Sequence, residues 1–133
     1  MEKIGEILGW GTGICFIAAI LNFFVKRINR QWIVKLPKDG TFRSLYQKFM
    51  KFVVSNHRYF GLAAALIVAA HLPVQITGKF ASVTGITAAA LLVSTVIIGG
   101  IMFYMHKGKL IKLHRCVAFT GFAVFLLHLI FKR

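Results

Sequence analysis

Acidic side chains are nearly missing from this chain. Glu2, Glu6 and Asp39 are the only three, against seventeen Lys and Arg in 133 residues, for a formal net charge of +14. Such a balance points first to nucleic acid. The cations, however, are gathered between long apolar runs, a placement set by membrane topology, so no nucleic-acid role is expected. Cysteine is equally scarce. Cys15 and Cys116 each stand alone in an apolar stretch, which excludes a disulfide framework and a zinc pattern. No Cys-x-x-Cys-His is present for covalent haem attachment. Proline occurs twice, and one of the two, in Pro37-Lys38-Asp39-Gly40, marks a turn.

What fills the chain instead is hydrocarbon. Hydrophobic residues make up 58% of it and the mean hydropathy is +0.75, too apolar for a soluble domain of this length and ordinary for a polytopic membrane protein. The length allows one domain, residues 1–133. Four apolar segments, about 4–25, 52–76, 83–105 and 110–131, are each long enough to span a bilayer with some tilt. The first begins Met-Glu-Lys-Ile-Gly-Glu and has its Lys26-Arg27 after the apolar run. It therefore reads as a retained span and not as a cleaved signal. The expected fold is all-α, an integral membrane four-helix bundle.

The basic residues set the expected orientation. Nine lie from Lys26 to Arg58 and four from Lys107 to Arg115, thirteen of the seventeen. By the positive-inside rule both stretches are cytoplasmic and both termini lie outside, in the cell membrane. Helices two and four then run parallel. Residues 41–56 place Phe42, Leu45, Tyr46, Phe49 and Phe52 or Val53 near helical spacing among Arg43, Lys48 and Lys51. That pattern fits an amphipathic interfacial segment leading into helix two.

Five histidines interrupt the apolar segments, and four form two pairs of one spacing. His57 and His71 are 14 residues apart, as are His114 and His128. On a helix, 14 residues rise about 21 Å and return to within about 40° of the starting face. Each of helices two and four thus offers two imidazoles on one stripe. The parallel arrangement sets His57 with His114 at the inner end and His71 with His128 at the outer end. An ionisable side chain inside a membrane is a functional candidate. For a lone histidine, a hydrogen bond to a backbone carbonyl explains as much; a matched double pair asks for more.

The surroundings repeat as well. His57-Arg58 and His114-Arg115 share one dipeptide, His71-Leu72 and His128-Leu129 another. Arg58 and Arg115 fall at the cytoplasmic rim, where positive-inside charge accounts for them as readily as pairing with a ligand carboxylate. Small residues collect between the histidines: Gly61, Ala63, Ala64, Ala65, Ala69 and Ala70 in helix two, Ala118, Gly121 and Ala123 in helix four. Gly5, Gly9 and Gly13 form a ladder in helix one, and Gly99 and Gly100 sit in helix three. Close helix packing is the plain reason for such residues, and room for a flat cofactor is the sharper one. His106 ends helix three beside Lys107; His114 keeps the 14-residue match and is the preferred inner residue.

With His57-x13-His71 and His114-x13-His128 on alternate helices, residues 52–131 resemble the di-haem core of cytochrome b and the ferric reductase/NADPH oxidase superfamily. The resemblance implies two non-covalent haem b groups with bis-histidine ligation, His57 and His114 holding the inner one, His71 and His128 the outer one. Arg58 and Arg115 are then propionate partners. It implies a role in relaying electrons across the membrane as a non-catalytic subunit of a larger, hetero-oligomeric oxidoreductase. No flavin or nicotinamide domain, no Gly-x-Gly-x-x-Gly and no quinone motif is visible. The expected partners are accordingly an acidic cytoplasmic flavin or iron–sulfur protein, a quinone, or both. The competing reading is a small non-redox transporter or proton or metal relay built on the same intramembrane histidines.

Overall fold

The computed structural model describes residues 2–79, 81–106 and 108–131. Four helices carry the chain: α1 (Glu2–Gln31), α2 (Thr41–Thr77), α3 (Val83–Tyr104) and α4 (Ile111–Phe131), with single 3₁₀ turns at Ile33–Lys35 and Gly108–Leu110. All four are long and apolar enough to cross a membrane. Large apolar side chains cover the outside, among them Ile7, Trp10, Leu66, Val83 and Ile130, as expected where lipid is the solvent.

The bundle consists of two hairpins, α1 packed on α2 and α3 packed on α4, joined along α2–α3 and closed by α1–α4. Helices α2 and α4 lie on the diagonal, and among the described residues their backbones come nowhere within 8 Å of each other. Chain direction alternates, so α2 and α4 run parallel. At one end, the basic end, lie both within-hairpin connections; at the other, the terminal end, lie the α2–α3 connection and the outer ends of α1 and α4.

Two helices run past the expected apolar segments, about 4–25 and 52–76, into the basic stretch: α1 continues to Gln31, and α2 starts at Thr41. Residues 41–56 are the first turns of one continuous 37-residue α2. No glycine or proline interrupts that stretch, and Tyr46 fastens it to α1 by donating its hydroxyl to the Val25 carbonyl at 3.0 Å. Pro73 lies inside α2 near its terminal end, where its missing N–H frees the Ala69 carbonyl.

The core is thin and runs up the bundle axis through Phe16, Ala64, Val68, Ala89 and Leu92. Phe122 and Phe125 of α4 pack on Phe16 edge-on, with centroids at 5.8 and 6.2 Å, a geometry that the ring quadrupole favours. This aromatic group lies midway along the bundle, between the levels of the two histidine pairs.

Candidate functional site

At the basic end, His57 of α2 and His114 of α4 meet across the diagonal. Their ring centroids are 6.3 Å apart with planes at 87°. The Nδ1 of His57 lies 3.0 Å from the Ala19 carbonyl of α1, and the Nδ1 of His114 lies 3.1 Å from the Thr95 carbonyl of α3. A carbonyl only accepts, so each Nδ1 carries the proton and each Nε2 keeps its lone pair. A carbonyl bond of this kind satisfies half of a buried imidazole. It also fixes the tautomer and orientation in which metal-ligating histidines are held.

The spacing bears on what fits between the rings. Two metal–imidazole bonds of about 2.0–2.1 Å, with roughly 1.2 Å from each ring nitrogen to its ring centre, span about 6.4–6.6 Å. The 6.3 Å between His57 and His114 is close to that span and is also an ordinary spacing for an edge-on pair of rings. His106 stands apart from this pair. It is exposed, two residues beyond α3, with φ of 53° in the left-handed region.

At the terminal end, His71 of α2 and His128 of α4 line a single cleft between the hairpins. The cleft has a cavity volume of about 80 Å³ and is partly open to the outside. Its walls are mostly apolar, with Phe16, Val68, Leu92 and Phe125 at the inner side and Glu6, Thr12, Gln75 and Ser82 as polar members. Gln75 is buried at 9% exposure, and its Oε1 has no hydrogen-bond partner among the described residues. His128 places Nδ1 3.0 Å from the Ser82 hydroxyl and 3.3 Å from that of Thr84.

Small residues on the neighbouring helix make room for three of the four rings. A Cβ at Gly9 meets His71 Cε1 at 3.3 Å, one at Gly85 meets His128 Cε1 at 3.0 Å, and one at Gly99 meets His114 Cε1 at 3.2 Å. The fourth ring, His57, bonds the backbone of buried Ala19. Helix α1 thus seats the histidines of α2, and α3 seats those of α4. The register repeats too: Gly9 to Ala19 and Gly85 to Thr95 are both ten residues.

Arg58 and Arg115 each follow a histidine and each cross to the other hairpin. The Arg58 guanidinium carbon lies 4.2 Å above the Phe103 ring of α3, and that of Arg115 5.4 Å from the Phe23 ring of α1. These are cation–π distances, and both arginines stay exposed. No group of three or more His, Cys, Asp or Glu able to hold a metal ion occurs among the described residues.

No family model, curated protein or solved structure matches this chain. What the site is for therefore rests on its own geometry.

Sequence reasoning had named the four histidines and both arginines, and the fold brings them together as two levels of one bundle. It had not singled out Ser82, Thr84, Gln75 or the carbonyls of Ala19 and Thr95. Ser82 had a signal, as a helix N-cap just ahead of an apolar run; a backbone carbonyl leaves none.

Proposed function

We propose that the protein is a b-type cytochrome, an electron-transfer subunit holding two haems one above the other. His57 and His114 would hold the one at the basic end, His71 and His128 the one at the terminal end. The observation that carries this reading is the facing pair His57 and His114 at 6.3 Å, each with Nδ1 bonded to a backbone carbonyl.

The residues present suit the group. The donor set at each level is two imidazoles; at the basic end both carry their lone pair on Nε2. Glycines stand where a Cβ would press on the rings, and a buried amide oxygen lies in the terminal-end cleft without a hydrogen-bond partner among the described residues. When bound, haem b supplies a one-electron Fe(III)/Fe(II) couple, and two axial imidazoles leave no open position for oxygen. The protein's own part is to orient the four imidazoles and to keep water from the space between the levels with Phe16, Phe122 and Phe125. Arg58 and Arg115 are the cations beside the basic-end level suited to propionate carboxylates.

By the positive-inside rule the basic end faces the cytoplasm and both termini face outward. Lys109 and Lys112 are exposed next to His114 and mark where an acidic flavin or iron–sulfur donor docks; Lys107, of the same cluster, lies outside the described residues. A quinol is the alternative donor. Pyridine haemochrome analysis of the purified protein tests the reading. Two b haems per chain are expected; one or none in a folded preparation overturns it and turns attention to a non-redox relay.

A further inference from the structure

His57 and His114 at the basic end and His128 at the terminal end are anchored differently, and the difference is chemical. His57 and His114 donate to carbonyls in the middle of helices, which accept in one direction only. His128 instead meets the hydroxyls of Ser82 and Thr84, which themselves lie 3.2 Å apart. Ser82 is also the N-cap of α3 and accepts the Gly85 N–H at 3.1 Å. A hydroxyl has one hydrogen and two lone pairs. When His128 offers Nε2 to a metal, Nδ1–H donates to Ser82 Oγ, and the Ser82 hydroxyl donates on to Thr84. Every site on Ser82 is then used. Should the imidazole reverse its tautomer, the same two hydroxyls can rotate and donate back. A carbonyl cannot do this.

We propose that Ser82, backed by Thr84, is a positioning residue for His128 that sets the terminal-end site at a more positive reduction potential than a carbonyl anchor would give it. This rests on the two-haem reading above. Two effects act in the same direction. A hydroxyl draws less on the Nδ1 proton than a helix carbonyl, so the imidazole donates less charge to its metal. In addition, Ser82 sits where the α3 macrodipole presents about half a positive charge, which disfavours the more positive oxidation state of a nearby ion.

The test is a spectroscopic redox titration of the purified holoprotein and three variants, with haem content measured on each. Wild type should show two one-electron waves. Ser82→Asp keeps a good N-cap but offers a carboxylate to Nδ1–H. One wave, that of the terminal-end haem, should move down so that the reduced-to-oxidised ratio at fixed potential falls at least tenfold, 59 mV for one electron, while the other stays. Ser82→Thr keeps both hydroxyl and cap and should leave both waves in place. Ser82→Ala should move the same wave as Ser82→Asp but the other way, or release that haem alone. Two bound haems with stationary waves in Ser82→Asp overturn the assignment, as do movement of both waves or an equal shift in Ser82→Thr. Wild-type protein without haem overturns the underlying reading as well, and haem content tells the two failures apart.

Discussion

The first hairpin, α1–α2, and the second, α3–α4, are built on one plan up to the level of the basic-end histidines and diverge beyond it. In both, a glycine and a carbonyl ten residues apart on the first helix seat two histidines 14 residues apart on the second. In both, an arginine crosses to an aromatic ring of the other hairpin. Past that level α2 starts sixteen residues before His57, about 24 Å of helix, whereas α4 starts three residues before His114, about 4.5 Å. The extra turns of α2 expose Phe42, Leu45 and Phe52 at 60% or more, among Arg43, Lys48 and Lys51. The duplicated part carries both pairs of histidines. The extension is not needed to build either site.

The sharpest way to break the equivalence is to remove histidines one at a time. On the two-haem proposal, His57→Ala and His114→Ala should each cost the same haem, and His71→Ala and His128→Ala the other, so haem content falls from two to one in all four. Loss of the basic-end haem in His106→Ala with retention in His114→Ala would show the pairing to be wrong. Next in size are the seats. Gly85→Leu and Gly9→Leu should each release the terminal-end haem, while Gly99→Leu should release the basic-end one, each read by haem content and by the absorption of the remaining group.

Phe16 closes the inner side of the terminal-end cleft and touches both hairpins, so Phe16→Ala should weaken the whole bundle. A cost of about 3 kcal/mol is expected, the lower end for truncating a buried aromatic, measured as denaturant-induced loss of haem absorption. A change confined to one haem would show that the levels fold separately. Smaller still are the crossing arginines. Arg58→Gln and Arg115→Gln should each cost about 0.5–1 kcal/mol of stability by loss of an exposed cation–π contact, and to similar extents if the hairpins are equivalent. The smallest effect concerns docking. Lys109→Glu with Lys112→Glu should slow reduction by a small acidic flavoprotein several-fold at low salt and little at high salt, since exposed charges are screened over about 10 Å at 0.1 M. If Arg43→Glu, Lys48→Glu and Lys51→Glu slow it more, the projecting α2 and not the α4 end receives the donor.

Much of the site was legible before any coordinates because helical periodicity and topology are written in the order of residues. The 14-residue spacing puts His57 and His71 on one stripe whatever α2 packs against. An odd number of crossings between the two pairs makes their helices parallel. The four spans were legible for the same reason, since a run of some twenty apolar residues has few stable alternatives in lipid. The helix ends inside residues 26–56 lie beyond the apolar segments, so apolar length alone does not mark them. Lys and Arg are good helix formers, and Tyr46 found an acceptor on α1 that no local pattern advertises.

By itself, then, the sequence determined the all-helical class, the four spans, the alternation of direction and the depth of each histidine, all of which follow from local periodicity and apolar length. Only the tertiary structure decided that His57 faces His114 while His106 is left outside, and that Ala19 and Thr95 supply the carbonyls. It also decided that Arg58 and Arg115 lie over Phe103 and Phe23, and that Ser82 and Thr84 reach His128. Those are contacts between helices distant in sequence. They depend on how each helix is rotated and how deep it sits against its neighbours, which the packing of Phe16, Ala64, Ala89 and the glycines fixes.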